Sequence, residues 1–116
     1  MALDTVQDYV NRARVLLLDT VYPYRFPDTD LIEGLNEGIL EARRLRPDLF
    51  LSYFRVALPS YTTLDMTVAV PIDPMYRMAF VYYTCGQAQL RDDETTQDTR
   101  AAIFLQKFNA MLLTNQ

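Results

Sequence analysis

The sequence predicts a mainly α domain: about four helices forming a small bundle, with a short β-hairpin inserted between helices 2 and 3. Three observations predict it. Apolar residues recur at three- and four-residue spacing in four separate stretches. Those stretches are punctuated by Pro23, Pro27, Pro47 and Asp73-Pro74. One further stretch, 64–70, alternates with period two. At 116 residues, half of them apolar and 22% charged, the chain has the size and composition of one folded domain, 1–116, with the hairpin insertion at about 52–70.

The first helix is expected to start at Asp4, with Gln7 as capping-box partner. Val6, Val10, Ala13 and Leu17 form its apolar stripe, widened by Tyr9 and Leu16. It should end before Tyr22-Pro23-Tyr24, because Pro23 biases the residue before it away from helix. The second helix follows Phe26-Pro27 with Asp28 as cap, and Leu31, Ile32, Leu35, Ile39, Ala42 and Leu45 form its stripe. Gly34 and Gly38 flank that stripe. Each costs about 1 kcal/mol relative to Ala, which points to a neighbour's close approach. Glu33, Glu37 and Glu41 form a ridge on the opposite face, and Arg43, Arg44 and Arg46 close the helix before Pro47.

Leu64, Met66, Val68 and Val70 alternate with Asp65, Thr67 and Ala69, as a strand would. Its expected partner is Tyr53–Leu58, through a loop at 59–63. Asp73-Pro74 then starts a helix from Met75 to about Leu90 that is apolar almost all round. Met75, Met78, Ala79 and Tyr82 lie on one side and Tyr76, Phe80 and Tyr83 on another. A helix with no polar face is central in its domain or covered by another subunit, and with only three other helices the second option is expected. Tyr53, Phe54, Met66, Val68, Tyr76, Phe80 and Tyr83 are therefore the candidate interface residues. After the acidic turn 91–98 a last helix carries Ala101, Leu105, Phe108 and Leu112, with Phe104 and Met111 beside them.

The chain has no His, no Trp and one Cys. A Cys/His zinc site and any imidazole-based mechanism are excluded. Cys85 has no cationic neighbour in sequence and reads as a small core residue. Asp92, Asp93, Glu94 and Asp98 lack the spacing of a calcium loop. Glu33, Glu37 and Glu41 read as a solvated ridge, and Gly34, Gly38 and Gly86 match no phosphate-binding loop. No cofactor, metal or enzymatic activity is expected. The net charge of −4 argues against non-specific binding to nucleic acid. The aspartates within the first eight residues argue against an export signal, and the longest apolar run, 78–85, is too short to span a membrane. An intracellular, reducing compartment is expected. Of the 8 Tyr and 6 Phe, Tyr22, Tyr24, Phe26, Tyr53, Phe54 and Tyr61 fall in connecting segments. There they suit a protein contact or a core plug equally.

The run Val10-Asn11-Arg12-Ala13-Arg14 through Leu16-Leu17-Leu18-Asp19 resembles the opening of small tailed-phage adaptor proteins, the head–tail connector or head-completion (neck) family. Phe26-Pro27-Asp28, Leu35-Asn36-Glu37-Gly38 and Arg44-Leu45-Arg46-Pro47-Asp48 are similar to the second helix of that family. Pro71-Ile72-Asp73-Pro74-Met75-Tyr76, Ala79-Phe80-Val81-Tyr82-Tyr83 and Gln89-Leu90-Arg91-Asp92-Asp93-Glu94 are similar to its tyrosine-rich third helix and acidic turn. The resemblance spans roughly two-thirds of the chain and rests on the order of packing and turn signatures. It implies a homo-oligomeric ring of twelve copies in the virion neck, made in the host cytoplasm. Such a ring joins the portal protein to the next neck or tail protein, and double-stranded DNA passes through without sequence-specific binding. The alternative from a different class is a small helical regulatory domain binding nucleic acid or a protein through Arg43-Arg44-Leu45-Arg46. Against it, the same helix leads with Glu33 and Glu37.

Overall fold

The computed structural model describes residues 3–21, 23–53, 59–72, 74–91 and 98–113, with side chains at all of these except 51–53, 89–91 and 98–100. Four α-helices carry the described fold: α1, Val6–Leu17; α2, Asp28–Leu45; α3, Arg77–Arg91; and α4, Asp98–Leu113.

Helix α1 is capped one residue later than the sequence suggests. Thr5, not Asp4, is the N-cap, and its hydroxyl accepts from the Asp8 amide (3.3 Å). The Asp8 carboxylate reaches back to the amides of Thr5 (3.0 Å) and Asp4 (3.1 Å). The Thr-x-x-Asp pair thus takes the role expected of Asp4 and Gln7. At its far end α1 stops at Leu17, well before Tyr22. Leu18 adopts a left-handed conformation (φ 58°, ψ 37°). Its amide donates to Val15 O (3.2 Å), and that of Asp19 donates to Arg14 O (2.9 Å). These are the paired bonds of a Schellman ending, with Leu where Gly is usual.

The hairpin is not seen: among the described residues there is no strand. Residues 54–58, the proposed partner, lie outside the description, whereas 64–70 is described and folds differently. Thr62 and Asp65 form their own capping box and turn Thr63–Asp65 into a short 3-10 helix. Local side-chain bonds to the backbone here override the alternating pattern. The segment beyond runs against the N-terminus, making one antiparallel bridge between Thr5 and Ala69. The Val6 amide donates to Val68 O (3.0 Å), Gln7 to Met66 O (2.9 Å) and Val70 to Asp4 O (2.8 Å). The carbonyls expected in a hairpin ladder instead satisfy the first free amides of α1. Leu64 is left 92% exposed and Val70 1%, so the alternation does not separate two faces of a sheet.

Helix α2 includes Asp28 as its first residue where the sequence reading makes Asp28 the cap; Pro27 stands at the cap instead, and no side chain bonds there. The Asp28 carboxylate pairs with Arg14 instead. The chain then kinks through a 3-10 segment, Pro47–Tyr53. Asn36 on α2 exchanges two bonds with the Tyr61 backbone, both 2.9 Å, and ties the following connection down.

Helix α3 is preceded by a 3-10 turn, Pro74–Tyr76, and packs against α1, α2 and α4. Tyr76, Ala79, Phe80, Val81, Thr84, Cys85 and Ala88 are all buried. Its apolar circumference is thus largely covered by the chain's own helices, which corrects the expectation that a second subunit must supply the cover. Gly34 and Gly38 make this possible. A Cβ on Gly34 would lie 3.3 Å from Thr84 Cα, and one on Gly38 would lie 3.1 Å from the Tyr83 ring. The close approach read from the two glycines is the α2–α3 contact. On the other side the Phe108 ring of α4 meets Phe80 edge-on and Tyr83 at a tilt, with centroids 5.9 and 4.7 Å apart. The buried stripe of α4 is Ala101, Phe104, Phe108 and Leu112, with Leu105 half-buried.

Candidate interaction surface

The sequence-derived interface residues separate into three groups. Tyr76 (6% exposed) and Phe80 (0%) lie in the chain's own core and offer no area to a partner. Tyr83 is half-buried between α2 and α4; burial, then Glu37 and Glu41, hold its hydroxyl above the ordinary phenol value. Met66 is half-buried against the core, and Val68 is exposed. Phe54 and the Tyr53 side chain lie outside the described residues. Of the connecting aromatics, Phe26 and Tyr61 plug the core and Tyr24 is exposed.

The structure brings forward a surface that sequence patterning missed, the elbow between α1 and α2. Val15, Leu18, Val21 and Tyr24 are 54%, 82%, 79% and 44% exposed within ten residues of chain. Their backbone is held by a polar knot beneath them. Arg14, buried on the inward face of α1, donates to the Asp19 carboxylate (2.9 Å) and the Phe26 carbonyl (2.8 Å) and pairs with Asp28. Asp19, also buried, accepts from the amides of Arg25 (2.8 Å) and Phe26 (3.0 Å). The Tyr24 ring lies over the Arg14 guanidinium at 3.9 Å. Buried charges are tolerated only when paired and fully bonded, and here the pairing fixes the turn. In the sequence Arg14 lies beside the stripe of Val6, Val10, Ala13 and Leu17, and only its spacing to Asp19 and Asp28 could have signalled the knot.

A groove lies at the other end of α1. Leu3, Arg12, Pro74, Met75, Arg77, Met78 and Met111 line a volume of about 390 Å3. Arg77 is committed to structure, donating to Ile72 O (2.9 Å) and Leu3 O (2.6 Å). The basic cluster ending α2 is likewise engaged. Arg44 pairs with Glu41, which raises its pKa. Arg46 holds Asp48 (2.8 Å) and Leu112 O (2.5 Å), and the bonded guanidinium keeps the Asp48 carboxyl below its usual range. Two of the three guanidiniums of the regulatory alternative therefore have partners within the chain.

Cys85 is buried, its thiol 3.6 Å from Ala13 O. Among the described residues no three acidic or Cys side chains cluster as metal ligands would, and no helix is long and apolar enough to cross a membrane. The acidic residues 92–94 lie outside the description. What this surface offers is contact chemistry: projecting apolar side chains on a fixed turn, and an open methionine-lined groove. The chain matches no known protein family, curated protein or solved structure in the comparisons made.

Proposed function

We propose that the chain is a structural adaptor of the tailed-phage neck, a ring of twelve copies seated under the portal and carrying the next neck or tail protein. The order of helix and turn signatures along the sequence carries the reading. The apolar elbow supports it, because a connection tied by the buried Arg14–Asp19 ion pair and bearing four exposed apolar side chains suits a contact surface. The acidic balance of the chain suits a channel through which DNA slides, since like charge keeps the duplex from being gripped. Exposed Val68 and half-buried Met66 remain candidates for the partner-facing side.

Mixing the protein with a candidate portal protein and viewing the complex by electron microscopy tests the reading. A ring beneath the portal is expected, with duplex DNA bound weakly and without sequence preference at physiological salt. Val68→Asp should leave the free protein folded by circular dichroism and reduce ring occupancy. A portal that stays bare would overturn the proposal, as would submicromolar, sequence-dependent DNA binding that Arg43→Glu with Arg44→Glu removes.

A further inference from the structure

We propose that the methionine groove binds an acidic, apolar segment of a partner protein. Arg12 and Arg77 would take its carboxylate, and Met75, Met78 and Met111 the apolar side chains next to it. All five residues line the same groove, and no acidic residue does.

The observation that points to an anion is Arg12. It is half-buried, yet its guanidinium has no hydrogen bond or ion pair among the described residues. The carboxylates nearest to it in sequence are engaged elsewhere. Asp8, one turn earlier, accepts from the amides of Thr5 and Asp4, and Asp4 stands 4.0 Å from Arg77. A partly buried cation gains most from a ligand that brings the opposite charge. Arg77 is a second anchor. Bonds to the carbonyls of Ile72 and Leu3 fix its guanidinium, while its Nη2 makes no hydrogen bond among the described residues. Its fork is thus in place before any ligand arrives, which lowers the ordering cost of binding. In a chain of net charge −4, the groove is a local cationic site.

The methionines add the second half of the recognition, an adaptable apolar lining beside the charge. The groove, about 390 Å3, is open to solvent, whereas sites for free small molecules enclose most of their ligand. An extended peptide leaves one edge in water and fits such a shape. The occupant is therefore a peptide segment.

The test titrates a short end-capped peptide of alternating glutamate and leucine into protein with isotope-labelled methionine methyls. The methyl signals of Met75, Met78 and Met111 should shift together and saturate, while that of Met66, outside the groove, stays in place. The same peptide with glutamine for glutamate should bind about tenfold more weakly. Arg12→Gln, folded by circular dichroism, should lose that preference, and Arg12→Lys should recover part of it. Equal binding of the two peptides, no saturation by millimolar peptide, an equal shift at Met66, or an undiminished preference in Arg12→Gln would each overturn the inference. So would tighter binding of phenylbutyrate at the same methyls, which would make the groove a small-molecule site. The measurement involves neither portal nor ring, so its failure leaves the adaptor reading untouched.

Discussion

At the scale of single residues, Leu18 shows a local cost accepted for an outward-facing side chain. A non-glycine residue in the left-handed region costs roughly 1 kcal/mol, and Leu18 is 82% exposed, so little burial offsets it. Leu18→Gly should therefore raise stability by up to about 1 kcal/mol in urea unfolding; a loss would mean that the side chain packs within the chain. Tyr9 presents the opposite case. It is 1% exposed, its hydroxyl has no hydrogen-bond partner among the described residues, and burial raises its pKa. Removing an unpaired buried hydroxyl relieves a desolvation penalty, so Tyr9→Phe should be neutral or stabilising by about 1 kcal/mol. The Thr5–Asp8 cap carries a pH signature. Bonds from the Thr5 and Asp4 amides hold the Asp8 carboxyl below its ordinary value of 3.8. A lowered folded value adds stability that is complete above the unfolded value and lost as pH falls through the folded one. The stability gap between wild type and Asp8→Asn should thus be constant at neutral pH and close in acid below about pH 4. Thr5→Ala should cost about 1 kcal/mol.

At the scale of elements, the knot and the glycine contact set how α1, α2 and α3 meet. Arg14→Ala leaves the buried Asp19 carboxylate without its cation. Two backbone amides still serve it, so the loss should fall near the lower end of the range for broken buried pairs, about 3 kcal/mol. The two glycines should respond differently to alanine. At Gly34 the added methyl meets the backbone of Thr84, which cannot step aside, and a net loss of about 1–2 kcal/mol is expected despite better helix propensity. At Gly38 it meets the half-buried Tyr83 ring, which can turn, so thermal unfolding should show a smaller change. The stripes of α1 and α2 and the significance of both glycines were legible in the sequence, because periodicity and glycine cost are local signals. The strand expected at 64–70 was misread because Thr62 and Asp65 bond within their own turn, and because Met66 and Val68 lend their carbonyls to α1. No alternation of side chains reports where carbonyls go.

At the scale of the molecule, the sequence signal of an all-apolar α3 was sound and its interpretation was not. Three helices suffice to cover it because Gly34, Gly38 and Gly86 let α2 and α4 approach closely: a Cβ on Gly86 would meet Leu105 at 2.8 Å. The candidate surface consequently moves from α3 to the elbow, where Val15, Leu18, Val21 and Tyr24 stand exposed around a connection that Arg14 ties to Asp19 and Phe26. The central claim is that the chain closes its own core before any assembly. Amide hydrogen exchange on the protein diluted to its monomer tests this most directly. The amides of α3 over 79–88 should be the slowest to exchange and open only with global unfolding, at a rate independent of protein concentration. Rapid exchange along α3 in the monomer, slowing only as copies associate, would contradict the account and restore α3 as a subunit interface.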